Sequence, residues 1–359
     1  MSPNYENFID ENMDPRELFL TMACKDIEER DKVLNPKNSY DLLLRMRADI
    51  ITDHTRLYRV GLNRVRKSGK SMLDDPFKKD FQIYMSYLDE IDKMIVEDIP
   101  SGYILDVIPE AQCMKTEFGN IIIISEALRY FIYYFSLSMT SFDIPIEIRI
   151  QAALIAIRVM LEKESMDFEL DPRGIVPKEI DCAIKEMTEA QIQFIIGHEY
   201  AHHRLAHEFS DTVRISRSRG EIEEHISIYN HAWKNEFEAD LESINAVTDT
   251  QKKNELIHGS IHFFLALYSF EKVMNSIDSS FQDINTHPPT LQRYKNIIDN
   301  FSQDFFIDRK ESEEWIEYHD KFADIIMKII KENKWFVENY GSVYLEMWRD
   351  KVRIDRVDY

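Results

Sequence analysis

Apolar positions recur at helical spacing over most of the chain, with one short region of different texture. Residues 39–70 carry Leu42, Leu43, Leu44, Ile50, Ile51, Leu57, Val60 and Leu62 among Arg and Asp, a broken amphipathic pattern. Pro76 opens a second helical stretch with Phe81, Tyr84, Tyr87, Leu88, Ile91 and Ile95 on one stripe, closed by Pro100-Ser101-Gly102. The texture then changes. Residues 103–108 and 120–125 are short, apolar and β-branched, and predict two strands joined by a connection that contains Pro109 and Gly119. Helices are predicted over 125–137, 145–163, from Thr188 onward, 232–248, 255–275, 290–300 and 311–334. Thr188-x-x-Gln191 has the form of a capping box. The pattern predicts an α+β, predominantly helical fold. It divides into a helical region over 1–101, a chemistry-bearing unit over 102–301 and a helical extension over 302–359, whose end from 335 gives no clear pattern.

Composition narrows the possibilities. With 9 Gly and 11 Pro in 359 residues, long stretches lack any helix breaker. The balance of 44 basic against 65 acidic residues, a net of −21, repels a phosphate backbone and argues against nucleic acid as a partner. The run Arg59, Arg64, Arg66, Lys67 and Lys70 reads as a solvated helix face. Cys24, Cys113 and Cys182 are widely spaced, which suits a reducing compartment and gives neither a disulfide framework nor a metal knuckle. The acidic opening MSPNYENFIDENMD is unlike a secretory signal. Residues 119–142 are interrupted by Glu126 and Arg129, and 261–270 reach about half of the ~20 residues a membrane span needs. The expected address is the cytoplasm, with no membrane span.

The chemistry begins at His198-Glu199-Tyr200-Ala201-His202, an HExxH pattern. At ~100° per residue the two histidines are ~40° apart in projection and one turn apart in rise, so both imidazoles face one point as zinc ligands. Glu199 flanks that face, where its carboxylate could hold and deprotonate a water on the metal. Leu205 and Glu208 stand where the metzincin pattern has Gly and His, which excludes that subclass. On a continuous helix His203 and His207 point ~140° and ~180° away and read as surface histidines. Downstream, Glu236 and Asp240 share one helix face four residues apart. Glu236 completes a His2Glu set with an open fourth position, and Asp240 can accept the outer N–H of a ligand histidine. Small Ala239 permits close helix packing, and Glu238 faces elsewhere. In Thr286-His287-Pro288-Pro289, the prolines present His287 rigidly for a hydrogen bond to an oxyanion. Arg293 follows on the same helix, able to pair with an acidic residue near the site. His258 and His262 read as packing histidines.

In order, HEYAH, EFEAD and THPPTLQR resemble the HExxH…ExxxD…HPxxxxR series of gluzincin metallopeptidases of the M48 type, over roughly residues 103–301. The resemblance implies a zincin-like core with a small sheet and an HExxH active-site helix. One Zn2+ per chain would be held by His198, His202 and Glu236, with Glu199 as general base and Asp240 and Arg293 behind the ligands. His287 would stabilise the transition state or occupy the zinc at rest. The edge formed by Ile121, Ile122, Ile123 and Ile124 would pair with a protein or peptide substrate bound as an extended strand. Size and the helical N-terminal region are closer to the phage-exclusion (Lit-type) peptidases than to the ImmA/IrrE type, whose HExxHxxxH form fails at Ala206. The implied function is a zinc-dependent endopeptidase acting on an intracellular protein in stress or phage defence, with a regulatory partner at residues 1–101. The rival is a catalytically silent zinc-bound scaffold or sensor that binds a protein partner.

Overall fold

A computed structural model of the protein describes residues 14–207, 232–277, 288–302 and 309–349. The chain begins with helices α1 (Pro15–Ala23), α2 (Ile27–Leu34), α3 (Ser39–Asp53), α4 (Thr55–Ser68), α5 (Lys79–Met85) and α6 (Glu90–Val96). Strands β1 (Ser101–Ile104), β2 (Ala111–Thr116) and β3 (Gly119–Ser125) follow. The helices that follow among the described residues are α7 (Glu126–Met139), α8 (Ile146–Met160), α9 (Lys178–Arg204), α10 (Ala232–Asn245), α11 (Thr250–Ile277), α12 (Thr290–Phe301), α13 (Arg309–Glu332) and α14 (Trp335–Glu338). The fold is predominantly helical with one small sheet, and no helix among the described residues is long and apolar enough to cross a membrane. One buried apolar cluster runs from Leu20 to Leu345.

The sheet has three strands, ordered β1-β3-β2. β1 pairs parallel with Ile122–Ser125, and β2 pairs antiparallel with Gly119–Ile124. This corrects the expectation that Ile121, Ile122, Ile123 and Ile124 form an open edge. Both hydrogen-bonding sides of β3 are taken, and its four isoleucines are at most 2% exposed, so they are core. The edge strands are β1 and β2, and the β2 sequence AQCMKT carries little β-branched signal. The pairing of β2 is set by a hairpin through Glu117 and Phe118, with Gly119 at φ 115.

Several helix boundaries also differ. Residues 39–70 form two helices because His54, extended at φ −128 and ψ 112, breaks the run and lets both α3 and α4 bury apolar faces. Residues 76–100 likewise give α5 and a separate α6 capped by Asp89, leaving Ile91 72% exposed rather than on a shared stripe. α9 starts after Pro177, ten residues upstream of Thr188. The Thr188 hydroxyl instead donates to the Ile184 carbonyl, and the Gln191 amide donates to the Ser136 hydroxyl, both inside the helix packing. Within the basic run, Arg64 is no surface residue: it grips both oxygens of buried Glu126 at 2.7 and 2.6 Å and ties α4 to α7. The end of the described chain is held by Arg158, which ion-pairs with Glu164 and donates to the carbonyls of Phe336 and Asn339.

The second half of α9, from Gln191 to His202, is buried all round, which places its polar residues at the centre of the molecule. α7, α10, α11, α5 and β2 pack around it. α11 lies tightly against α9 at Gly259, where a Cβ would lie 2.4 Å from the Ala190 carbonyl oxygen. Backbone cannot swing aside as a flexible side chain can. Gly259→Ala is therefore expected to destabilise the fold by ~1–3 kcal/mol, measured as a shift of the urea midpoint without change of slope. An unchanged midpoint would mean that α11 is free to slide.

Candidate metal centre

Helical spacing on α9 brings the Nε2 atoms of His198 and His202 to 3.0 Å from each other. α10 packs against α9 with Ala239 fully buried, and Glu236 is buried one turn before it. Glu236 Oε2 lies 3.4 Å from His198 Nε2, and Oε1 lies 3.3 Å from His202 Nε2. Bonds of ~2.0–2.2 Å at tetrahedral angles set ligand atoms about 3.3–3.6 Å apart. Each histidine thus has a Glu236 oxygen at about that spacing, and this buried group could hold a metal ion. Among the described residues no other group of three or more His, Cys, Asp or Glu side chains is so arranged; His258 and His262 lie on an exposed face.

The surroundings ask for positive charge. His198 Nδ1 is 2.9 Å from Asp240 Oδ1, so the ring donates there and keeps the Nε2 lone pair for a cation. Arg293, on the first turn of α12, donates Nε to Asp240 Oδ2 at 2.8 Å and Nη2 to Oδ1 at 2.5 Å. Its Nη1 lies 3.2 Å from Glu236 Oε2. Burial favours neutral forms here, yet Glu236 and Asp240 outweigh it and push the His198 pKa up to about 10. Burial also opposes charge on Asp240, but Arg293 and His198 hold its carboxyl below the ordinary range. Glu199, Glu236 and Asp240 against Arg293 leave a formal excess of two negative charges, which suits a divalent ion.

Glu199 is buried beside the ligands, and no side-chain hydrogen bond or ion pair among the described residues engages its carboxylate. α9 packs against β2, where burial raises the Cys113 thiol pKa and the charge of Glu199 raises it further. The structure thus gathers His198, Glu199, His202, Glu236, Asp240 and Arg293. His287 lies outside the described residues. Two other histidines depart from expectation. Nδ1 of His203 receives a hydrogen bond from the Asn120 amide at 2.7 Å, tying α9 to β3. His207 is not a surface histidine. α9 ends at Arg204, and the chain folds the His207 ring back against His202, leaving its side chain 7% exposed. A projection on a continuous helix misses this, because Ala206 carries none of the signal that glycine gives at a helix end.

Residues 170–306 match the family model Peptidase U49. The match supports a peptidase family, and it takes in every residue of the centre from His198 to Arg293. No curated protein and no solved structure matches the chain.

Proposed function

We propose that the protein is a zinc-dependent endopeptidase of gluzincin type, with a zincin-like core built on α9. The observation that carries this reading is the buried His198–His202–Glu236 triangle with an unengaged glutamate beside it, inside a peptidase-family match. Two imidazoles and one carboxylate are a donor set that zinc favours, and three protein ligands leave a position open. Zinc held there supplies Lewis acidity toward a peptide carbonyl and makes water a stronger acid. Glu199 takes a proton from the attacking water as its oxygen bonds to the carbonyl carbon. It returns that proton to the amine nitrogen as the C–N bond breaks. Asp240 keeps the His198 Nε2 lone pair directed inward, and Arg293 holds Asp240. The motif order assigns His287 to the developing oxyanion, and an intracellular target with a trigger acting through residues 1–101 belongs to the same proposal.

The edge that receives substrate is β2. Ser125 N–H bonds to the Glu110 carbonyl. With antiparallel alternation, Ala111, Cys113 and Lys115 therefore turn their backbone groups to the outer side. No other strand pairs there among the described residues, and an extended peptide can add as a fourth strand next to Glu199. Proline is tolerated where a strand N–H faces outward. Lys115→Pro should then keep fold and zinc binding and raise KM several-fold with little change in kcat. An unaltered KM would remove β2 from the substrate site.

The function itself is tested by mapping new protein N-termini in a cell lysate incubated with zinc-loaded or chelator-stripped protein. Termini that appear only with the loaded protein support an endopeptidase. Tight zinc binding without new termini would favour the scaffold.

A further inference from the structure

We propose that His207 is a positioning residue that orients His202 for the metal, delivered by the turn that ends α9. The inference rests on the metal-centre reading of His198, His202 and Glu236. It starts from the backbone. Ala206 N–H bonds to the His203 carbonyl at 3.0 Å, and His207 N–H bonds to the His202 carbonyl at 3.1 Å. This pair of bonds is the Schellman motif, with Ala206 at the left-handed position and His207 just after it. Ala206 has φ 49, a conformation that a Cβ disfavours and that glycine usually fills. A Schellman turn brings its last residue against the side chain a turn back, ordinarily as an apolar contact. Here that contact is between two imidazoles, His207 on His202, with ring centroids 5.1 Å apart.

The contact is a hydrogen bond with a required direction. His202 Nε2 faces His198 and Glu236, so it must present a lone pair to a cation, and the proton of the neutral ring then sits on Nδ1. That Nδ1 is 3.0 Å from His207 Nδ1, which accepts. His207 in turn carries its proton on Nε2, which lies 3.5 Å from Glu238 Oε2 without a hydrogen bond to it, and Lys234 Nζ lies 3.2 Å from Glu238 Oε1. The two ligand histidines are thus fixed from behind by different groups: a carboxylate for His198 and an imidazole for His202. Groups behind a ligand histidine typically change metal affinity by about 10–100-fold when lost. His207 could not itself bind the same ion, because it lies on the side of the His202 ring away from Nε2.

The test is zinc affinity, measured by competition with a chromophoric chelator at fixed pH, on wild type and on His207→Ala, His207→Asn and His207→Phe. Visible spectra of the cobalt-substituted proteins give a second readout. Asn offers an amide oxygen near the Nδ1 position, whereas Phe fills the space without an acceptor. The expected result is about 10–100-fold weaker zinc binding and a changed cobalt spectrum for Ala and Phe, with both largely restored by Asn. Equal affinity in all four proteins would overturn the role of His207 and leave the centre standing. Restoration by Phe but not by Asn would also overturn it, in favour of plain packing. Wild type that binds no zinc would overturn the metal centre and this inference together.

Discussion

Glu199→Gln is expected to bind zinc at one ion per chain, to keep the wild-type fold, and to lose about 10²–10⁴-fold in turnover. The amide has the same shape but cannot take a proton from water. The structure makes the substitution unusually clean. The Glu199 carboxylate engages no hydrogen-bond or ion-pair partner among the described residues, so its loss leaves no buried group stranded. Arg293 keeps both bonds to Asp240, and the three ligand side chains are untouched. A local report of the lost charge comes from Cys113, whose thiol pKa, raised by burial and by Glu199, should fall in the variant. Metal analysis and a time course of new N-termini in lysate check the prediction. Cleavage at the wild-type rate would sink Glu199 as the base, and loss of the zinc would mean that it serves the ligands instead.

What could be read from the chain follows from the range of each interaction. His198 and His202 are brought together by a single helical turn, as are Glu236 and Asp240, and such pairs are visible in spacing alone. The long amphipathic helices α11, α12 and α13 are legible for the same reason. Features that depend on distant partners are not. β2 is a strand because β3 pairs with it, and without β2 the isoleucines of β3 read as an edge. Thr188 and Gln191 have the form of a cap but bond within and across helices that the local pattern does not show. Residues 335–349 give no periodic signal because Arg158 and Glu164 hold them in place. His207 sits between these cases: its contact is local, yet it depends on a left-handed alanine that no propensity would favour.

Asp240→Ala should be the most damaging change outside the ligands, with two separable effects. Asp240 is fully buried and serves two donors at once, the Arg293 guanidinium and His198 Nδ1. Its removal leaves a buried arginine without its bidentate partner, a loss of ~3–5 kcal/mol of stability. It also frees His198 to rotate or to take the other tautomer, for about 10–100-fold weaker zinc binding. The two effects come apart in the double variant Asp240→Ala/Arg293→Met. With the guanidinium gone as well, no buried arginine is left unpaired, so part of the stability of the metal-free protein should return in denaturant titrations, less the contact that Arg293 makes with Glu236. Zinc affinity should stay low, because His198 Nδ1 still lacks its acceptor. The pH dependence has a fixed sign. A carboxyl held below its ordinary range contributes stability above its unfolded pKa of about 3.9 and loses it as the pH falls further. That acid-labile component should vanish in Asp240→Ala. If the double variant instead recovers zinc affinity along with stability, then Asp240 works by restraining Arg293, and the orientation of His198 comes from elsewhere.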